Sequence, residues 1–275
     1  MSVKIGLALG GGAMRGLAHI GVIEVLEQEG IQIAYVAGCS IGAIIGAAYC
    51  CGAPMPMLEK LVMALEDRDL IDVTLPRQGL VKGVRAQSII RTLTHDKNFD
   101  QTNIPFAAIA VDLPKAELVV LNTGKIYTAV RASMSIPGVF EPVVMGDRLL
   151  VDGGAMQRVP LAAARAMGDE LLVGVDIGYR GEPREQEKPA STLDIINQTL
   201  DLMGWEITRL QEQLADVMIL PKVRHINPYT MKQAQECIEL GRAAARERVE
   251  DIKKAALKRA AELEQRKGEV ESSGQ

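Results

Sequence analysis

Apolar and polar positions along the chain fall into blocks that switch between a strand-like and a helix-like period. Val3–Leu9 is a short apolar run ending in Gly10-Gly11-Gly12, which predicts a buried strand running into a loop. From Arg15 to Glu29 the residues Leu17, Ile20, Val22, Ile23, Val25 and Leu26 fit a helix, closed by Gly30. Ile33–Ala37 reads as a second strand that enters Gly38-Cys39-Ser40-Ile41-Gly42, and the apolar run after it reads as a buried helix. Strand, glycine loop, helix, strand, sharp turn and helix make a βαβα start, which implies a mostly parallel sheet.

Farther along, Met55–Leu65 carries apolar residues at helical spacing, and a short helix is predicted around Ala86–Leu93. Strand-like runs return at Phe106–Val111, Glu117–Leu121, Val139–Val144, Leu149–Val151, Leu171–Val175 and Val217–Leu220. Pro114-Lys115, between two of them, suits a hairpin turn. The polar segment EPREQEKPA reads as a surface loop, followed by helices over Thr192–Gln213 and Thr230–Leu263, the second amphipathic. This pattern predicts a single domain over 1–266 and a disordered tail over 267–275.

Composition narrows the function class. The 275 residues are 48% hydrophobic and 24% charged, as in an ordinary globular domain. A net charge of −4 and an aromatic content of 3% give neither a basic surface nor a stacking platform, so no nucleic-acid partner is expected. No run reaches the ~20 apolar residues of a membrane span, so the contact expected with a membrane is peripheral. The N-terminal apolar run is glycine-rich and interrupted by Arg15, unlike a signal peptide. Cys39, Cys50, Cys51 and Cys237 have neither a disulfide framework's nor a zinc site's spacing. Free thiols point to a reducing compartment and a cytoplasmic location, with no metal and no cofactor expected.

Gly38-Cys39-Ser40-Ile41-Gly42 is a Gly-x-Ser-x-Gly segment between a predicted strand and a predicted helix. A nucleophilic serine on such a turn needs small neighbours at Gly38 and Gly42, because its backbone is strained and its hydroxyl must project. The helix N-terminus beneath it offers free amides to developing negative charge. Gly10-Gly11-Gly12-Ala13-Met14-Arg15-Gly16 fits neither Gly-x-Gly-x-x-Gly nor a Walker A loop, and beside the elbow it suits an oxyanion hole.

A serine needs a base, and three histidines are available. His19 reads as a packing or hydrogen-bonding residue and His95 as solvated, while His225 is the rival, since Ser40, Asp152, His225 would follow α/β-hydrolase triad order. Against it, only two strands precede the serine. Asp152-Gly153-Gly154 offers an aspartate that accepts the serine proton directly once desolvation raises its pKa. On the residues alone, a turn that merely closes a hairpin explains Asp152 equally well. Met55–Leu65 likewise reads as an acyl-binding wall or lid, or as ordinary helix packing.

Five segments in order, GGGAMRG, GLAHIGVI, GCSIG, RASMSIPGVFEPV and VDGG, resemble the patatin-like phospholipase family, specifically its compact bacterial members. The resemblance runs from Lys4 to about Ile177 and more weakly through Pro221. It implies a three-layer α/β/α sandwich around a mostly parallel sheet, and a metal-free lipid acyl hydrolase. It also implies a histidine-free dyad of Ser40 and Asp152, with an oxyanion hole from the Gly11 and Gly12 amides and Arg15 nearby. Anchored on Arg15-Gly16, the family's third consecutive glycine falls on Ala13 here. In the mechanism expected, Gly11, Gly12 and Ile41 amides hold the oxyanion, an acyl-enzyme forms, and water releases the fatty acid of a phospholipid or lysophospholipid. The Ser135-Ile136-Pro137-Gly138 turn is given no catalytic role. Two other functions fit the same elements: a serine acyltransferase acting on thioesters, and a regulatory or adaptor protein on this fold.

Overall fold

The structure is a computed structural model that describes residues 3–70, 81–183, 189 and 191–273. Part of the polar loop after Gly181 and residues 71–80 lie outside the described residues. In chain order the elements are β1 (Lys4–Leu9), α1 (Ala18–Gln28), β2 (Gln32–Gly38), α2 (Ile41–Cys50), α3 (Met55–Ala64), α4 (Asp67–Leu70) and α5 (Val84–Leu93). Next come β3 (Phe106–Asp112), β4 (Glu117–Leu121), α6 (Ile126–Ser133), β5 (Val143–Met145), β6 (Arg148–Asp152), α7 (Leu161–Arg165) and β7 (Leu171–Val175). The chain continues through α8 (Thr192–Gln211), β8 (Val217–Ile219), α9 (Ala234–Arg246) and α10 (Val249–Ser273).

The strands form one eight-stranded sheet in the order β5-β6-β3-β2-β1-β7-β8, with β4 pairing β3. β1, β2, β3, β7 and β8 run parallel, while β4, β5 and β6 add antiparallel pairs. Strand residues alternate between two buried clusters, as a sheet covered on both faces requires. Leu7, Leu9, Val36, Ala108, Ala110, Val173 and Val175 join the larger cluster. Ala8, Tyr35, Ala37, Ile109 and Leu172 join the smaller one, with Leu161, Ala163 and Ala164 of α7. The expected layered α/β architecture is therefore present, with helices around a mostly parallel sheet.

Strand β3 is the ruler on which the rest of the molecule is laid out. Ala108 pairs with both Gly38 and Leu121, and Ala110 with both Asp152 and Val119. A strand residue has two edges, so β4 covers one edge of β3 while β2 and β6 share the other. They meet there head to head, with Gly38 at the end of β2 and Asp152 at the end of β6.

Several elements differ from the sequence expectation. The run Val139–Val144 forms a strand only from Val143, since Pro142 precedes it; Phe140 makes a single bridge to Val81 instead. The helix expected over Thr230–Leu263 is divided at Glu247–Arg248. The division lets α9 cross α1 closely, with a Cβ on Gly241 falling 2.0 Å from the Ala18 carbonyl oxygen, while α10 turns toward β7. The sequence places the end of the folded domain at residue 266, whereas α10 runs to Ser273, in keeping with its alanine, glutamate, lysine and arginine content. α6 and α7 have no counterpart in the sequence reading. Among the described residues no helix is long and apolar enough to cross a membrane.

Candidate active site

Ser40 sits between β2 and α2 with φ 54° and ψ −123°, a backbone conformation that costs a non-glycine residue about 1–3 kcal/mol. Its neighbours hold it there. Its amide donates to Ser133 Oγ at 3.0 Å, the Cys39 amide to the Leu9 carbonyl at 3.0 Å, and the Gly42 amide to the Cys39 carbonyl at 2.8 Å. The flanking glycines are required by space: a Cβ on Gly38 would lie 2.5 Å from Ala43 Cα, and one on Gly42 2.2 Å from the Leu9 carbonyl oxygen. The strand–turn–helix context expected for the elbow is thus present, with the serine at the N-terminus of α2.

Asp152 arrives from the other side along β3. Its amide donates to the Ser135 carbonyl at 2.9 Å, and its Oδ1 accepts the Gly154 amide at 2.8 Å and the Cys39 thiol at 3.6 Å. Burial pushes the carboxyl up to about 6, and the Ser40 hydroxyl, the Gly154 amide and the Cys39 thiol partly offset that by hydrogen bonding to the charged form. The result is a carboxyl more basic than an exposed aspartate.

The C-terminal end of α6 serves both residues at once, Ser133 through the Ser40 amide and Ser135 through the Asp152 amide. Arg131 locks this end: it donates to Ser135 Oγ at 2.7 Å, the Lys82 carbonyl at 2.6 Å and the Glu141 carbonyl at 2.9 Å. Sequence reasoning missed Ser133 and Arg131. The available signal was their place in the RASMSIPG segment, which lies between Ser40 and Asp152 in the chain.

The glycine loop departs from expectation at one amide. Gly10 donates to the Val175 carbonyl at 3.0 Å, and Gly11 to the Arg158 carbonyl at 2.9 Å. The Gly11 amide is therefore spent on the loop's own anchorage. What Gly11 contributes is room, since a Cβ there would lie 3.2 Å from Ser40 Cβ. No acceptor among the described residues takes the amides of Gly12, Ala13 or Ile41. Ala13 has φ 50°, the left-handed region where a glycine costs nothing, so the alanine at this position carries strain. Arg15, expected near the oxyanion hole, lines the cavity beside Ser40, but its Nε and Nη2 donate to the carbonyls of Ile226 and Arg224 at 3.0 and 2.9 Å. It clamps the loop to the chain after β8.

None of the three histidines lines either cavity that reaches Ser40. His225 pairs through Nε2 with Glu236 Oε1 at 2.7 Å on the surface. His19 is buried, donates from Nε2 to the Gly10 carbonyl at 2.8 Å, and is pushed down to about 4 by burial. His95 lies in an exposed turn with φ 50°. Among the described residues no cluster of His, Cys, Asp and Glu could hold a metal ion.

Two cavities meet at Ser40, Ala13 and Ile136. One, of about 150 Å³, is walled almost wholly by apolar side chains, including Ile44 of α2, Leu58 and Leu61 of α3, Ile89 of α5, and Phe140. α3 does form a wall, through its leucines and Val62, whereas Met57 and Met63 face solvent. The second cavity, of about 140 Å³, mixes apolar walls with the polar residues Arg15, Asp152, Arg158, Asn197, Asp201 and Tyr229.

A family profile described as Patatin-like phospholipase matches residues 7–165. An uncharacterized NTE family protein of Mycobacterium tuberculosis is 32% identical over 200 residues, covering 71% of this chain and 55% of that protein. Lysophospholipase NTE1 of Cryptococcus neoformans is 34% identical over 183 residues, covering 64% of this chain and 11% of that protein. The chain thus spans about half the length of the mycobacterial relative and a small part of the fungal one. VipD from Legionella pneumophila shares the fold, with a TM-score of 0.60 over 90% of this chain and 66% of that chain at 13% identity.

Proposed function

The chain belongs to the patatin-like phospholipase family, and on that premise we propose that it hydrolyses fatty-acyl esters of phospholipids or lysophospholipids, with Ser40 as nucleophile and Asp152 as base. The observation that carries this reading is the apolar cavity that opens at Ser40 beside a buried, basic carboxylate. An acyl chain lies in that cavity and brings its ester carbonyl to the elbow.

Asp152 accepts the Ser40 proton as the hydroxyl oxygen attacks the carbonyl carbon. The oxyanion lies toward the Gly12 and Ile41 amides, with the positive end of α2 behind them. Collapse expels the alcohol, which takes the proton from Asp152 and leaves an acyl-enzyme. Water then attacks, giving its proton to Asp152, and the fatty acid leaves as Ser40 regains a proton. No histidine is needed. The pairing of His225 with Glu236 on the surface supports this reading over a triad or a histidine-dependent acyltransferase.

The test is a series of p-nitrophenyl acyl esters and lysophospholipids. Burial of each added methylene should raise kcat/KM about fourfold until the cavity is filled. Ser40→Ala and Asp152→Asn should each lose turnover while keeping the fold by circular dichroism. Turnover retained in folded Ser40→Ala, or no dependence on chain length, overturns the proposal.

A further inference from the structure

The second cavity, which mixes apolar walls with polar residues, contains a cation that the reaction above does not use. The Arg158 carbonyl holds the Gly11 amide, which ties this residue to the glycine loop beside Ser40. Its side chain is only 7% exposed and lies against Gly178, where a Cβ would stand 2.4 Å from Cζ and Nε. Nη1 points toward Gly204 of α8, at 3.5 Å from where a Cβ would be. Glycine at 178 thus leaves the guanidinium its place in the cavity wall, whereas a Cβ at 204 would make only ordinary contact with it.

The group is incompletely paired. Nη2 donates to Asp176 Oδ2 at 3.1 Å, and the same oxygen takes Arg180 Nη1 at 3.0 Å. Nε and Nη1 are buried and have no acceptor among the described residues. Arginine has five N–H donors, so three of them are idle. A guanidinium does not shed its proton, and a buried donor left unpaired is destabilising. A desolvated cation with spare donors, in the wall of a cavity that also holds the nucleophile, calls for an anionic oxygen ligand.

We propose that Arg158 is the anion-recognition group of the leaving-group cavity, taking a phosphate oxygen of a glycerophosphodiester while the acyl chain occupies the apolar cavity. The assignment rests on the hydrolase reading, which places the ester between the two cavities. In a lysophospholipid the phosphate lies a few bonds from the scissile oxygen, on the side that leaves. Arg158 is then a specificity-determining residue: it selects esters whose alcohol carries a phosphate.

The test uses Arg158→Gln and Arg158→Lys in the full chain, since Asp176 keeps Arg180 as a partner in both. Lysophosphatidylcholine is compared with a monoacylglycerol of the same acyl chain. Arg158→Gln should lower kcat/KM on the lysophospholipid about 10- to 100-fold and leave the monoacylglycerol within about twofold, with Arg158→Lys between. An equal loss on both substrates, or none on either, overturns the proposal. Should Arg158→Gln fail to fold, Arg158→Lys reads the same discrimination. A second arm follows the thermal unfolding midpoint with inorganic phosphate against chloride at equal ionic strength. Phosphate should protect the wild type and not Arg158→Gln; protection without lysophospholipid discrimination assigns the site to free phosphate and overturns the head-group role. If no ester is turned over by any form, the hydrolase reading fails, and the phosphate arm still decides the anion site.

Discussion

The Cys39 thiol stands 3.6 Å from Asp152 Oδ1, so the residue before Ser40 donates to the Asp152 carboxylate. Each donor to the charged form lowers the carboxyl's proton affinity, and the thiol is the weakest of the three. In a pH profile of kcat/KM, activity should fall below a midpoint near 6, where Asp152 takes up a proton. Cys39→Ala should move that midpoint upward, and Cys39→Ser, which keeps a donor, should bring it back. An unmoved midpoint in Cys39→Ala would show that the thiol only fills space.

Ser133 is expected to matter as much for the elbow as the residues within it. Ser133→Ala leaves the Ser40 amide without its acceptor in a strained, buried turn, at a cost of about 1–3 kcal/mol in stability. kcat should drop as Ser40 relaxes from its φ of 54°. Ser133→Thr retains the oxygen and should restore part of both. Chemical denaturation and acyl-ester turnover, measured on the same preparations, check this.

Asp152 and His19 are predicted to pull stability in opposite directions over the same pH range. The folded-state pKa of Asp152 is raised from 3.8 to about 6, so the native state binds the proton more tightly, and stability falls as pH rises through that window. For His19 it is lowered from 6.5 to about 4, so the unfolded state binds the proton more tightly, and stability rises as pH rises from 4 to 6.5. Each contribution is on the order of 3 kcal/mol, and the two nearly cancel. Asp152→Asn should uncover the His19 slope, giving an unfolding midpoint that climbs between pH 4 and 6.5 and exceeds the wild type's above pH 6. A flat profile in Asp152→Asn contradicts the assignment.

Narrowing the apolar cavity should shorten the preferred acyl chain. Ile89→Trp places a large ring in the wall formed by α5, so long-chain esters should lose about tenfold or more in kcat/KM while acetyl and butyryl esters change little. A uniform loss over all chain lengths would place the chain elsewhere.

The strands and the elbow were legible in the sequence because their signals are local: continuous apolar runs such as Ile5–Leu9, buried on both faces of the sheet, and glycines where backbones touch. The pairing of Ser40 with Asp152 was not legible from the residues alone, because it depends on where two strand ends fall along β3. The Gly11 amide was misread for a related reason. A glycine advertises an accessible backbone, and only the approach of Arg158 shows that its donor is taken. Ser133 was invisible because its role is to accept from a backbone far away in the chain. The break between α9 and α10 was hidden by uniform composition, since both helices are dense in charge and alanine and differ in what they pack on.

The head-to-head meeting of β2 and β6 on one edge of β3 makes the juxtaposition of Ser40 and Asp152, and the activity proposed for it, a readout of strand register. A slip of one residue between β3 and β6 would send the Asp152 side chain to the opposite face of the sheet, leaving secondary structure content and compactness almost unchanged. A compact but misregistered intermediate would therefore pass a circular dichroism test and remain inert. During refolding, turnover should appear only after β3 has zipped against both neighbours, later than the recovery of helical signal. The juxtaposition of Ser40 and Asp152 is in this sense assembled by the sheet, and is among the last features to exist.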